Sequence, residues 1–224
     1  MVSVVPRVPR LTPLGLLAAG ALLLGTTACT GLDEASAASL TRDDLISETA
    51  AQLAAGDALT YTATYHLAGG DTATITQAQK PARSAYVYPG GRLIVTPSAT
   101  IRCKGSSCTE SAPDPAAPAT LTGALVTPEA AQAMLATAAL DPEVVSEQRD
   151  TTIAGRHATC LSLDGVTGTP ASAFDLCVTN EGALASFTAT IAGKQTDVTL
   201  TALTDDTSAD AFTVPAKAKL TSQR

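Results

Sequence analysis

The chain has 224 residues and a formal net charge of −7, with 45% hydrophobic residues but no Trp, four Tyr and three Phe. An acidic chain has no basic footprint for nucleic acid and gains no electrostatic attraction to an anionic lipid surface. Its length suits one domain with short appendages, and its core is assembled from small Ala, Val and Leu side chains.

In chain order, Arg7 and Arg10 precede an apolar run over residues 14–24, which exits through Gly25-Thr26-Thr27-Ala28 to Cys29; the first acid is Asp33. A basic start, a short apolar stretch and a small-residue exit describe an export signal. A cysteine at that exit resembles the lipobox of bacterial lipoproteins, with Thr26 standing where that pattern usually has a large aliphatic residue. The resemblance implies a signal peptide over residues 1–28, cleavage before Cys29, and palmitate-type acylation of Cys29. The protein is then held on the extracytoplasmic face of the cell membrane. The alternative is an uncleaved anchor. Residues 11–32 carry no charge and are long enough for a bilayer crossing of ~20 residues. Pro13 and four glycines suit a lipid-facing helix poorly. Both readings export the remainder, because Arg7 and Arg10 stay in the cytoplasm. Without residues 1–28 the chain has 196 residues and a net charge of −9. Residues 29–39 read as a lipidated tether, with a flexible reach of roughly 17 Å.

A domain is expected over residues 40–216. Thr41 and Asp44 form a T-x-x-D helix start. Ile46, Ala50 and Leu53 share one face, and Gly56 closes the helix as a C′ residue. Residues 61–67 alternate strictly, with Tyr61, Ala63, Tyr65 and Leu67 on one side and Thr62, Thr64 and His66 on the other. Gly69-Gly70-Asp71 is a turn. Further strands are expected at 72–79, 83–88, 92–96, 101–103 and 108–110. Residues 111–120, with three prolines and four alanines, read as a loop or flap. Thr127-Pro128-Glu129 opens a second helix with an N-cap and a Pro at its first position. That helix runs to about Leu140, where Asp141-Pro142 stops it. A meander of strands at 143–149, 153–163, 173–179, 183–192 and 196–203 follows. Residues 217–224 read as a loose polar tail.

Four cysteines remain after Cys29: Cys103, Cys108, Cys160 and Cys177. An even number in an exported chain reads as two disulfides, and composition alone permits three pairings. Local register favours one. With Cys160 opposite Cys177, Leu161 faces Leu176 and Leu163 faces Phe174, so one alignment satisfies the apolar face and joins the sulfurs. Cys103 and Cys108 flank a four-residue loop and oppose each other in a tight hairpin. Zinc is the rival reading. Cys103-x₄-Cys108 fits its spacing loosely, whereas Cys160 and Cys177 do not.

No catalytic motif, metal site or cofactor motif is found. His66 alternates with threonines on a polar face, and His157 sits beside Arg156 near a strand start. Both read as surface residues. Asp43-Asp44 complements a helix dipole, and Asp205-Asp206 near Asp210 lacks EF-hand spacing. The chain is therefore expected not to be an enzyme.

Three segments resemble the LolA-like fold of LppX/LprG-type lipoproteins of high-GC Gram-positive bacteria. They are Gly155-Arg156-His157-Ala158-Thr159-Cys160-Leu161, Asn180-Glu181-Gly182-Ala183-Leu184, and Asp205-Asp206 through Ala211-Phe212-Thr213-Val214-Pro215. The resemblance implies an α+β fold, a curved antiparallel sheet forming an open half-barrel with helices on its concave face. In such relatives acyl chains fill the space between sheet and helices. The candidate wall here is Tyr61, Ala63, Tyr65, Leu67, Phe187, Ala189, Ile191, Val198 and Leu200, which serves equally as plain core. The expected function is carriage of a lipid or other apolar ligand. The alternative is an envelope interaction or sensor module with a protein partner.

Overall fold

A computed structural model describes residues 40–223. The expected signal peptide, Cys29 and the expected tether lie outside the described residues. Helix α1 (Arg42–Ala55) starts as its sequence predicts. The Asp44 carboxylate accepts from the Thr41 backbone N–H at 3.0 Å, and the Thr41 hydroxyl accepts from the Asp44 N–H. Each group satisfies a donor that the helix end leaves free.

Six strands follow as a meander: β1 (Tyr61–Leu67), β2 (Thr72–Gln79), β3 (Ala82–Tyr88), β4 (Gly91–Val95), β5 (Thr100–Lys104) and β6 (Ser107–Ser111). A cap segment with a 3-10 turn at Ala117–Leu121 leads to helix α2 (Pro128–Ala138). A second meander contains β7 (Val145–Ile153), β8 (Arg156–Asp164), β9 (Ala173–Thr179), β10 (Leu184–Ile191) and β11 (Lys194–Thr204). A 3-10 turn at Ala209–Phe212 and a short strand, β12 (Lys219–Ser222), complete the described chain.

All twelve strands form one sheet in the order β12-β6-β5-β4-β3-β2-β1-β11-β10-β9-β8-β7. Every neighbouring pair is antiparallel except β12 with β6. The sheet is open, since β12 and β7 are its two ends, and it curls strongly. The Arg156 guanidinium on β8 donates to the Leu203 carbonyl on β11 at 3.3 Å, across the two strands between them. The Tyr65 hydroxyl on β1 likewise reaches the Leu184 carbonyl on β10 at 3.0 Å. Register shifts at Thr64/Tyr65 and at Leu184/Ser186 supply bends of the kind that bulges give a strand. The fold is thus α+β, an unclosed half-barrel with both helices against its concave face.

The main core lies between that face and the helices. Ile46 and Leu53 of α1, together with Ala131, Met134 and Leu135 of α2, bury against Tyr65, Ile75, Tyr86, Leu93, Leu161, Leu176 and Phe187. Phe174 and Phe187 stack with ring centroids 5.7 Å apart. The convex face carries a smaller cluster of Ala78, Ala85, Ile94 and Phe212, with the Arg83 guanidinium 4.2 Å above the Phe212 ring.

Several expectations are corrected. Gly56 is not a left-handed C′ residue. Its φ of −61° is helical, and the chain tightens into a 3-10 turn over Gly56–Ala58. Its missing side chain matters instead for packing, because a Cβ there would lie 2.2 Å from the Gly182 carbonyl oxygen. The strands expected at 143–149 and 153–163 are one hairpin of two nine-residue strands. Ala154 and Gly155, both with positive φ, make its two-residue turn. The polar tail is not loose, since Lys219–Ser222 pairs with β6.

Candidate apolar-ligand site

Strict alternation places Tyr61, Ala63, Tyr65 and Leu67 on the concave side of β1. Across the β1–β11 pair Leu200 stands opposite Tyr65 and Val198 opposite Leu67. Phe187 on β10 stands opposite Val198, and Ala189 and Ile191 continue the row. The structure therefore brings all nine predicted wall residues onto one surface. Eight are buried and Ile191 is partly buried against them. They form the packed floor of the concave face. Leu67 and Val198 also border a cleft of about 240 Å³ beneath residues 122–125 of the cap.

The roof over this floor has two unequal halves. Helix α1 is fixed closely. Gly56 and Gly182 bring backbone against backbone, and the Gln52 side chain donates to the Thr179 carbonyl at 2.9 Å. Helix α2 and the cap present apolar aliphatic groups without aromatic rings, including Ala117, Leu121, Leu125, Val126, Ala130 and Met134. A second cleft of about 210 Å³ opens between α2, the cap and Gly168-Thr169-Pro170, with Met134 in its lining. Clefts thus lie on both sides of Thr122, at the two margins of the cap.

One polar spot interrupts the core. The Tyr86 hydroxyl on β3 donates to Glu129 Oε1 on the first turn of α2. Burial first, and then the Glu129 charge, pushes the Tyr86 hydroxyl well above the ordinary tyrosine range. Burial likewise raises Tyr65, with Tyr61 and Glu129 adding to it, and burial and Glu129 raise Tyr61. All three rings stay neutral at physiological pH, and Tyr65 and Tyr86 act as hydrogen-bond donors. Sequence reasoning did not single out Tyr86 or Glu129. The available signal was an acid at the start of a helix that is otherwise Ala, Met and Leu on its buried side.

Both cysteine pairs form disulfides: Cys103 with Cys108, and Cys160 with Cys177. The predicted register is observed, with Cys160 opposite Cys177, Leu161 opposite Leu176 and Leu163 opposite Phe174. Leucines and phenylalanine face the core, while the sulfurs lie on the convex side beside Ala158 and Ala185. His66 and His157 are both exposed. Among the described residues no three metal-binding side chains converge, and no helix is long and apolar enough to cross a membrane. What the assembled groups supply is an apolar surface interrupted by a few buried polar contacts, of which Tyr86 with Glu129 involves an acidic side chain.

No protein-family model and no curated protein matches the chain. Solved structures similar to it include an uncharacterized conserved protein from Thermus thermophilus. Its TM-score is 0.49 at 11% identity, covering 79% of this chain and 98% of that one. The Mycobacterium tuberculosis lipoprotein LppX is similar with a TM-score of 0.40 at 12% identity, covering 71% of this chain and 94% of that one.

Proposed function

We propose that this chain is a non-enzymatic, extracytoplasmic lipoprotein, anchored to the membrane through Cys29, that binds a lipid or similar apolar ligand between the concave sheet and α2. The observation that carries this reading is the unequal roof. An apolar floor spans β1, β10 and β11 under a cap of aliphatic side chains with clefts at its margins, while α1 is clamped by backbone contact.

The energetics are compatible with exchange. Lifting the cap exposes about five apolar side chains, Leu121, Leu125, Val126, Met134 and Leu135, at roughly 1.5–3 kcal/mol each. An acyl chain of about sixteen carbons regains ~13 kcal/mol when buried, at about 0.8 kcal/mol per methylene. The two are of similar size, so an acyl chain can replace the cap's own contacts without a large net change. A short alkyl group cannot.

The alternative, an envelope interaction or sensor module without a lipid ligand, is favoured by the complete packing of the floor. One experiment separates them. The protein purified from membranes is extracted with organic solvent, and the extract is analysed by mass spectrometry beside that of a Phe187→Glu variant, whose charge lies in the floor. Stoichiometric lipid with the parent protein and none with the variant supports the carrier. If the parent carries no lipid and takes up none from phospholipid vesicles, the module reading stands in its place.

A further inference from the structure

Among the described residues, two side-chain hydrogen bonds tie α2 to other elements: Tyr86 to Glu129, and Gln132 to the Asp57 carboxylate at 3.3 Å on the exposed side. The rest of its buried side is apolar. Glu129 is therefore its one polar link to the sheet, and that link is only half satisfied. Oε1 accepts from Tyr86, while Oε2 is shielded from solvent and has no hydrogen-bond donor. A shielded carboxylate oxygen without a donor disfavours the arrangement that buries it. On its other side Glu129 borders a cleft of about 390 Å³, which it shares with Pro118 of the cap and with Gln77 and Ser84 of the sheet. The carboxylate thus stands between a tyrosine hydroxyl that holds it and a cleft that would hydrate it.

We propose that Glu129 is a latch with two stations. In the closed station it accepts from Tyr86 and holds α2 on the sheet. In the open station it swings into the cleft beside Pro118, leaving α2 with apolar contacts alone to the sheet. This rests on the ligand-binding reading in assigning the latch to that site. Tyr86, raised well above the ordinary tyrosine range, remains a donor throughout. The Gly56–Gly182 contact keeps α1 in place, so the motion belongs to α2 and the cap.

The test is hydrogen exchange, read by mass spectrometry, on the ligand-free protein and on Tyr86→Phe and Glu129→Gln variants. Tyr86→Phe keeps the ring and removes the donor, leaving both carboxylate oxygens unpaired. Exchange across residues 117–138 is expected to rise about tenfold, the equivalent of one hydrogen bond to a charged group, while residues 42–55 keep the parent rate. Glu129→Gln keeps an acceptor for Tyr86 and removes the shielded charge, so exchange across the same segment is expected to slow. Opposite shifts confined to α2 and the cap are the signature of the latch. The proposal is overturned if Tyr86→Phe leaves α2 unchanged, if it loosens α1 equally, or if Glu129→Gln loosens α2 as Tyr86→Phe does. The readout needs no ligand, so its failure is distinct from a failure to find lipid.

Discussion

Asp141, just beyond α2, shows how one side chain joins elements that the sequence keeps apart. Its Oδ2 accepts from the Thr167 hydroxyl at 2.7 Å and from the Thr167 N–H at 3.2 Å, while Oδ1 accepts from the Glu143 N–H at 3.1 Å. Its backbone carbonyl also receives the Arg42 guanidinium from the start of α1. The Thr167 hydroxyl first, then the Glu143 amide, lowers the Asp141 carboxyl below its ordinary value. The sign follows by linkage. A folded-state value below the unfolded one gives stabilisation that is fully present above the unfolded value, roughly pH 4, and is lost as pH falls through the depressed folded value. Acidification should therefore release the β8–β9 loop at Thr167 before the core yields. The measurement is the Thr167 amide chemical shift across an acid titration. It should move with the Asp141 carboxyl in the parent protein and sit at its acid position at neutral pH in Asp141→Ala. A Thr167 amide that does not titrate, or that keeps its parent position in the variant, would remove Asp141 from this role.

The hairpins show which elements the sequence reveals and which it conceals. In the β8–β9 pair the period of two leaves little freedom. A slip of one residue would send Leu161 and Leu163 to the convex side, so the register and the Cys160–Cys177 bond follow from one constraint. Strand β1 is legible for the same reason, as is the floor built on it. The β7–β8 turn was concealed because Ala154-Gly155 sits between two long strands with no polar cluster to mark it. Strand β12 was concealed because its four residues are exposed and pair with an edge more than a hundred residues earlier. The Tyr86–Glu129 contact joins residues 43 positions apart and belongs to no local pattern. The disulfides themselves make a graded prediction. Closing a separation of 17 residues constrains the unfolded chain by ~3 kcal/mol, and closing one of 5 by ~2 kcal/mol. Urea unfolding of a Cys160→Ala/Cys177→Ala double variant should show the larger loss, and Cys103→Ala/Cys108→Ala the smaller. Because Leu161 and Leu163 still face the core, both variants should fold. A reversed order of midpoints would overturn the loop-closure argument, and loss of the folded state in the first variant would show that the Cys160–Cys177 bond sets the register and does more than staple it.

For the whole molecule, the proposed membrane location raises the question of what would hold an acidic domain there. After removal of residues 1–28 the net charge is −9, and an anionic leaflet repels such a body within a Debye length of about 8 Å at physiological salt. The folded part offers no apolar span to replace that missing attraction, since no helix among the described residues is long and apolar enough to cross a bilayer. The lipid proposed at Cys29 must then provide the hold. Its acyl chains contribute about 0.8 kcal/mol per buried methylene, and stable anchoring takes two such signals. Two expectations follow for fractionated cells. Cys29→Ser should move the protein out of the membrane fraction, with the domain still folded. A high-salt wash should leave the parent protein on the membrane, because no electrostatic attraction is there to be screened. A Cys29→Ser protein that stays with the membrane would point to residues 11–32 as an uncleaved anchor. Release of the parent protein by salt would mean that an oppositely charged envelope partner holds it, through the domain and not through Cys29.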